Sequence, residues 1–243
     1  MSFYYKKMRK NYAVIAAGGL GTRLKNFEGN LHTKVLIDID GFSMISSQIN
    51  QLQNWGLKDF IVITNPEFHD LIVRDIYTNF KNINISFVTQ TAPKGIADAL
   101  SYAESEVEED SIITFILGDN FFGENPLKAE NYENFKGAKI FATNVENPQE
   151  FGVMELNSQK KLIDLHEKPD NFISSLAVVG LYLYDKSCFE FIKKLKPSFR
   201  GELEVTDLNK LYLSKNLLSY EVIDSWWIDA GTEDRINELK NLI

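Results

Sequence analysis

The feature that most constrains the fold of this chain is an alternation: short runs rich in β-branched residues are separated by amphipathic segments of helical period. "YAVIAA" is followed by "SMISSQINQLQNW", in which Ile45, Ile49 and Leu52 share one helical face and Gly56 stops the pattern. "DFIVIT", a helix over about 66–80, "INISFV", a helix over about 96–107 and "SIITFIL" continue the rhythm. Strands spaced by helices in this way predict a doubly wound α/β fold around a largely parallel sheet. After Gly118 strands cluster instead, as "AKIFATNV", "FGVMEL", "KLIDLHEK" and "LAVVGLYLYD". Helices over about 187–195 and 205–213 follow, then strands "LLSYEVI" and "WWI" and a last helix after Gly231. No repeat, low-complexity tract or linker interrupts the chain, so its second half is expected to complete the same domain.

With 243 residues, 44% of them hydrophobic, the chain can bury one large core. Its net charge of −8 argues against nucleic acid or a membrane surface as partner, because both bind through Lys and Arg facing phosphates. An anionic ligand must therefore be met by a few placed cations. The single cysteine, Cys188, excludes an internal disulfide, fits a reducing compartment and reads as a small core residue on a helix. Residues 1–11 read as a polar leader and 12–243 as the folded domain. The apolar run after the leader is cut by glycines before it reaches the roughly seven to fifteen residues of a signal peptide core. No stretch approaches the roughly eighteen apolar residues of a membrane span, so a cytoplasmic protein is expected.

Ligands of open α/β sheets bind at the carboxyl ends of the strands, and three such ends carry chemistry: Gly18 to Arg23, Asp119 and Asp229. In "AAGGLGTRL" the glycines let backbone N–H groups approach an anion without an intervening Cβ, and Arg23 adds a planar donor fork. A flexible corner is the competing reading. There is no Gly-Lys-Ser/Thr, and Leu24 stands where a dinucleotide fingerprint needs a third small residue. Asp119 in "LGDN" and Asp229 in "WWIDAGT" are carboxylates at strand ends, which can be an Asx turn and a helix N-cap. Converging in one crevice, they would instead suit Mg²⁺, which takes one or two protein carboxylates and completes its shell with water and phosphate. Asp38 and Asp40 in "IDIDG" form a rival Asp-x-Asp pair, more simply read as a polar turn capping the next helix. Lys34, Lys168 and Arg200 are the remaining cations of interest. His32, His69 and His166 lack the spacing of a metal site or catalytic dyad and are assigned structural or surface roles.

"AAGGLGTRL", "TKVL", "TQTAPKGIADAL", "ILGDNFF", "FGVMEL", "HEKP", "VVGLYLYD", "LKPSFRGELEVTDLNKLYL" and "WWIDAGT" resemble, in order and spacing, the bacterial glucose-1-phosphate thymidylyltransferases over nearly the whole chain from Tyr12 to about Arg235. That resemblance implies a Rossmann-like, GT-A-like three-layer α/β/α domain with a nucleotide part at about 12–120, an inserted β-rich sugar part at about 121–225 and a closing metal strand and helix at 226–243. It implies Mg²⁺-dependent transfer of a nucleotidyl group from dTTP to a sugar 1-phosphate, with release of pyrophosphate. Ala17, Gly18, Gly19, Gly21, Thr22 and Arg23 would hold the triphosphate, Lys34 would neutralise charge at the α-phosphate, and Gln90 and Gly95 would read the base. Asp119 and Asp229 would bind the metal. Asn120, Gly152, Glu167, Val178, Tyr182 and Trp227 would line the hexose, with Lys168 and Arg200 on its phosphate. Arg23, Lys34, Lys168 and Asp119 would be the catalytic set, and a homo-oligomer, dimer or tetramer, is implied. Two anions must meet and the attacking phosphate oxygen is already ionised, which accounts for the lack of a His, Ser or Cys constellation.

The chain departs from the family pattern in several places. "KNFEGNLHT" before Lys34 is one residue longer than usual and lacks a proline, which implies a differently shaped cover over the triphosphate. Asp38 replaces a common proline. Phe151 stands for a frequent tyrosine and Val179 for a frequent threonine, both expected near the hexose and both pointing to altered sugar choice. The chain ends soon after "DAGT", as in short members, so a regulatory site on a C-terminal extension is expected to be absent. The alternatives are the same chemistry with UTP, CTP or another sugar 1-phosphate, a non-catalytic sugar-nucleotide sensor, and a glycosyltransferase using Asp38 and Asp40.

Overall fold

The computed structural model describes residues 9–19, 33–130 and 132–243. The chain enters through β1 (Asn11–Ala16), and after residue 33 a 3-10 turn and a hairpin of β2 (Asp38–Ile39) and β3 (Phe42–Ser43) lead into α1 (Met44–Asn54). Next come β4 (Asp59–Thr64), α2 (His69–Asn79), β5 (Asn84–Thr89), α3 (Ile96–Ser101), β6 (Ile112–Leu117) and β7 (Asn120–Phe122). The β-rich half consists of β8 (Ala138–Asn144), β9 (Gly152–Leu156), β10 (Leu162–Glu167) and β11 (Leu176–Asp185). It is followed by α4 (Ser187–Ile192), α5 (Val205–Ser214), β12 (Leu218–Val222), β13 (Trp227–Asp229) and α6 (Glu233–Leu242).

Among the described residues nine strands form one mixed sheet, in the order β10-β9-β11-β6-β1-β4-β5, with β8 joining β11 to β12. β1 lies between β4 and β6 and runs parallel to both, Val14 standing beside Ile61 and Phe115. β11 turns antiparallel against β6, β8 and β9, which makes the sheet mixed where its β-rich half begins. Alternate strand residues face opposite helical layers, as the pleat requires. Ala13, Ile15, Phe60 and Val62 pack with Ile45, Ile49 and Leu52 of α1 and Ile72 and Ile76 of α2. Tyr12, Val14, Ile61 and Ile63 pack with Leu100 of α3, Phe189 of α4 and Leu208 of α5. Cys188 is buried in that second layer, where burial pushes its thiol well above the usual range.

Three helices, α2, α3 and α4, are shorter than their periodicity predicts. The Asn65 side chain accepts from the Phe68 N–H at 2.9 Å, and that local turn delays α2 to His69. α3 ends at Ser101 and only a 3-10 turn, Glu104–Glu106, extends it. After α4 the Lys194 and Leu195 amides bond three residues back, at 3.0 Å each, so the expected last turn is tightened out of the α-helix. Strand "WWI" joins β7 instead of the main sheet, with Asp229 opposite Asn120. "IDIDG" is a hairpin: Asp40 and Gly41 have φ of 52° and 86°, the left-handed pair of a two-residue turn. The helix cap expected of those aspartates is made by Ser43, whose Oγ accepts from the Ser46 N–H at 3.1 Å. At the other end of the fold, Asn11 already lies in β1, and Arg9 donates to the Asp110 and Phe135 carbonyls, both at 2.6 Å. No helix among the described residues is long and apolar enough to cross a membrane.

Candidate active site

The three chemistry-bearing strand ends point to one edge of the sheet. Asp119 follows β6 directly, and the β7–β13 pairing carries Asp229 alongside it, with the Ala230 N–H bonded to the Asp119 carbonyl at 2.7 Å. From α1 the fully buried Gln48 donates to the carbonyls on either side, Leu117 at 2.7 Å and Asn120 at 3.1 Å, so the peptide bearing Asp119 is fixed from behind. Lys34 forms a short ion pair with Asp119. Burial alone would raise the Asp119 pKa, but the Lys34 ammonium outweighs it and holds the carboxyl below the usual range. Asp229 goes the other way: burial, then the neighbouring Asp119 charge, push it up to about 6.

Two carboxylates forced together with one cation between them form an all-oxygen set that fits a hard divalent ion, since its charge would replace what each acid lacks. The mismatch has a measurable consequence for stability. Because the folded pKa of Asp229 lies above its ordinary value, the folded state keeps a proton that the unfolded state has lost between about pH 4 and 6. The resulting stabilisation is complete at low pH and disappears as pH rises through about 6. Asp119 contributes in the opposite sense and at lower pH, its stabilisation being lost as pH falls below its ordinary range. In chelator-treated protein, Asp229→Asn is therefore expected to raise the melting temperature most at pH 8, by about half as much at pH 5 and not at all below about pH 4; an effect independent of pH would contradict the paired-acid arrangement.

The described part of the glycine turn lies beside this pair. Ala17 is buried and its N–H bonds the Ile63 carbonyl at 2.8 Å, while the Gly18 carbonyl accepts from Asn65 Nδ2 at 3.2 Å. A Cβ on Gly18 would sit 3.4 Å from Gln90 Oε1, and one on Gly19 would sit 3.9 Å from Lys34 Cε, so the turn runs from the Gln90 amide to the Lys34–Asp119 pair. Gly21, Thr22 and Arg23, with residues 25–32 of the altered segment 25–33, lie outside the described residues. Gln90 is buried, and its Nε2 donates to Asp98 at 2.8 Å and to the Gly95 carbonyl at 3.4 Å.

Gly95 has φ 106°, and a Cβ there would lie 2.5 Å from the Leu203 carbonyl oxygen, so this glycine lets two backbones cross under the site. Gly95→Ala is expected to cost about 2–5 kcal/mol, from a disallowed backbone and an overfilled contact. Urea unfolding measures this, and a loss below about 1 kcal/mol would mean the crossing is loose.

At the far end of the same cleft, a cavity of about 890 Å³, the β9–β10 pair sets Gly152 opposite Glu167. A Cβ on Gly152 would come within 3.0 Å of Thr206 Oγ1 and 3.5 Å of Glu167 Oε2, so glycine keeps the space beside that carboxylate clear. Thr206 donates to Glu167 at 2.6 Å, and burial raises the Glu167 pKa. Arg200 reaches Glu167 at 3.3 Å and is held by two bonds to Glu204, at 2.8 and 3.1 Å. Lys168 borders the cavity and has no ion-pair partner among the described residues. Val178 and Tyr182 line the wall from β11. Asn120 ties the two ends together: its Oδ1 accepts from the Gly180 N–H at 2.9 Å and Trp227 Nε1 at 2.7 Å, and its Nδ2 donates to Asp119 at 2.9 Å.

Not every expected residue joins. Val179 points into the opposite core with Leu181 and Leu183, because β11 alternates and Val178, Gly180 and Tyr182 take the cavity face. Its departure from the family pattern therefore does not alter the pocket wall, whereas Phe151 borders the cavity as expected. Asp38 and Asp40 lie in the exposed hairpin and not on the cavity. His69 bonds Thr64 Oγ1 at 2.9 Å, and His32 is outside the described residues. His166 is less isolated than its spacing implied: it meets Glu155 at 2.7 Å and Asp164 at 3.8 Å on the β9–β10 edge, where Lys210 also pairs with Asp164 at 3.1 Å. Thr206, inside the segment "LKPSFRGELEVTDLNKLYL" but given no role there, and Arg235 also border the cavity; Arg235 reaches Asp229 at 3.8 Å and Glu150 at 3.6 Å from the first turn of α6.

Paired acids at two strand ends, faced across a cleft by lysine and arginine at the carboxyl edge of a doubly wound sheet, define a phosphate-handling α/β enzyme. More particularly, the chain belongs to the nucleotidyl transferase family, whose sequence profile matches residues 12–243. It is 36% identical to a glucose-1-phosphate thymidylyltransferase of Neisseria meningitidis, over 95% of this chain and 81% of that one. It is 34% identical to the enzyme of that name from Mycobacterium tuberculosis H37Rv, with the same two coverages of 95% and 81%. Among solved structures, a Bacillus anthracis protein assigned as a glucose-1-phosphate thymidylyltransferase and crystallised with sucrose superposes with a TM-score of 0.85 at 35% identity, covering 96% of this chain and 94% of that one. A UDP-glucose pyrophosphorylase bound to UDP-glucose, with a TM-score of 0.83 at 20% identity over 96% of this chain and 98% of that one, shares the fold.

Proposed function

We propose that this nucleotidyltransferase moves a thymidylyl group from dTTP to a sugar 1-phosphate, glucose 1-phosphate by preference, releasing pyrophosphate. The observation that carries the reading is the single cleft with an acid pair and Lys34 at one end and Lys168 and Arg200 at the other, with the neutral wall of Gly152, Val178 and Tyr182 between them. Two anionic substrates need that arrangement, and the relatives named glucose-1-phosphate thymidylyltransferase support dTTP and glucose 1-phosphate as the pair.

In this reading the backbone of Gly18, Gly19 and Gly21, with Thr22 and Arg23, cradles the triphosphate, and Gln90 and Gly95 read thymine. Lys168 and Arg200 hold the sugar phosphate so that one of its ionised oxygens faces the α-phosphorus in line with the departing pyrophosphate; Glu167, Asn120 and Trp227 orient the hexose. The new P–O bond forms as the bond to pyrophosphate breaks, and no proton moves. Lys34 releases Asp119 and turns its ammonium towards the α-phosphate charge. Asp119 and Asp229 would hold Mg²⁺, which supplies charge neutralisation between the two phosphates. A cytoplasmic homo-oligomer, dimer or tetramer, completes the proposal, and light scattering gives its stoichiometry.

A panel of nucleoside triphosphates and sugar 1-phosphates assayed for pyrophosphate release tests the assignment, with dTTP and glucose 1-phosphate expected to lead; preference for UTP or CTP would overturn the thymidylyl part. Gln90→Ala is expected to reduce discrimination between dTTP and the other triphosphates by roughly ten- to a hundredfold, since a lost base contact costs about 1.5–3 kcal/mol. Unchanged discrimination would move base reading to another residue.

A further inference from the structure

The segment 117–120 leaves the sheet as it passes from β6 to β7, so its carbonyl groups need donors from elsewhere. The Asp119 carbonyl takes the Ala230 N–H at 2.7 Å, whereas the Leu117 and Asn120 carbonyls share one donor group, Gln48 Nε2, at 2.7 and 3.1 Å. An amide nitrogen carries two hydrogens, so glutamine alone among uncharged side chains of this length can span both carbonyls at once. From the other side the segment is pressed against β1, where a Cβ on Gly118 would lie 2.7 Å from the Ala16 carbonyl oxygen. Gln48 Oε1 is buried with no hydrogen-bond partner among the described residues. An apolar side chain of similar volume would avoid that orphaned acceptor, so the residue is accounted for by what its two N–H groups hold. One turn further along α1, Gln51 Nε2 donates to the Phe122 carbonyl at 2.8 Å, beyond the acid.

We propose that Gln48 is a positioning residue for the metal centre: by pinning the carbonyls on both sides of Asp119 it sets the direction in which that carboxylate points. This rests on the reading of Asp119 and Asp229 as the acids that hold a divalent ion. Gln48 itself lies behind the peptide and does not line the cleft. Without it the segment keeps its main-chain bonds to Ala16 and Ala230, but the Asp119 carboxylate is free to turn. Two acids that must converge on one ion lose affinity for it when either swings away. The Asn120 side chain is tied independently to Gly180 and Trp227, and Lys168 and Arg200 stand at the other end of the cleft, so sugar-phosphate binding does not depend on the clamp.

Mn²⁺ is the probe, titrated into the substrate-free protein and followed by the electron paramagnetic resonance of the free ion, a readout independent of turnover. Gln48→Met is close in volume but has no donors, and Gln48→Asn keeps the amide on a stem one methylene too short to reach both carbonyls. Each is expected to raise the Mn²⁺ dissociation constant roughly ten- to a hundredfold. In turnover, the Mg²⁺ concentration for half-maximal rate should rise by a similar factor, while KM for glucose 1-phosphate changes by less than about threefold. Gln51→Met is the control: it removes a buried amide–carbonyl bond from the same helix, at Phe122, and should leave the constant within about twofold. The proposal is overturned if both Gln48 variants bind Mn²⁺ as the wild type does, or if Gln51→Met weakens binding as much, because the helix contact as a whole would then be responsible. A wild type that takes up no Mn²⁺, or an Asp229→Asn variant that binds it with wild-type affinity, fails the metal reading and this one together. Affinity lost in Asp229→Asn but unchanged in the Gln48 variants fails this one alone.

Discussion

Asp229→Asn is expected to abolish divalent-metal-dependent turnover, lowering kcat about a thousandfold or more, while the protein stays folded. A metal ion's stabilisation of developing phosphate charge is worth several kcal/mol, and each 1.36 kcal/mol is a factor of about ten in rate. Asp229 is the cleaner of the two acids to change. Replacing Asp119 also strips Lys34 of its ion pair, whereas the Asp229 carboxylate is already disfavoured by burial and by Asp119, which push it up to about 6. The substitution that removes activity should thus relieve strain in the metal-free protein at neutral pH, the usual relation between a functional charge cluster and stability. Turnover and chelated melting temperature measured on one preparation separate the two effects, and normal turnover would remove Asp229 from metal binding.

Arg200→Ala has the second large effect, and it acts at both levels. A charge-assisted hydrogen bond to phosphate is worth about 1.5–3 kcal/mol, so KM for the sugar phosphate should rise roughly ten- to a hundredfold with a smaller change for the nucleotide. The same change leaves Glu204, only 5% exposed, with Ser198 Oγ at 2.7 Å as its remaining side-chain hydrogen-bond donor among the described residues. An uncompensated buried carboxylate costs about 3–5 kcal/mol, which urea unfolding would read. Adding Glu204→Gln to Arg200→Ala should recover much of the stability and none of the sugar-phosphate affinity. If the double variant regained KM, Arg200 would be acting through the loop's integrity and not through the phosphate.

The fold was legible where the hydrophobic period was unambiguous. β4 and β11 coincide with the apolar runs "DFIVIT" and "LAVVGLYLYD", because a strand buried on both faces needs every residue apolar. Helix ends were less legible, since the Asn65 turn and the tightened end of α4 are set by local hydrogen bonds that periodicity does not encode. Within the site, Asp119 and Asp229 stood out as carboxylates at strand ends, whereas Gly152 and Glu167 were reached only through the family resemblance. Val179 was misplaced because a resemblance aligns positions without saying which face of a strand they take, and one residue's shift turns a side chain to the other face. Thr206 was given no role although it sits in a matching segment, and Arg235 gave no signal; both matter because α5 and α6 start beside the cleft.

The most direct measurement is phosphorus NMR of a single reaction containing the protein, dTTP, glucose 1-phosphate and Mg²⁺. The predicted result is that the sugar phosphate and triphosphate resonances fall together while a paired sugar-nucleotide diphosphate signal and a pyrophosphate signal rise in equal amounts. Growth of dTDP and inorganic phosphate with the sugar phosphate signal unchanged would contradict it, because the cleft would then be delivering water to the triphosphate instead of a second phosphate.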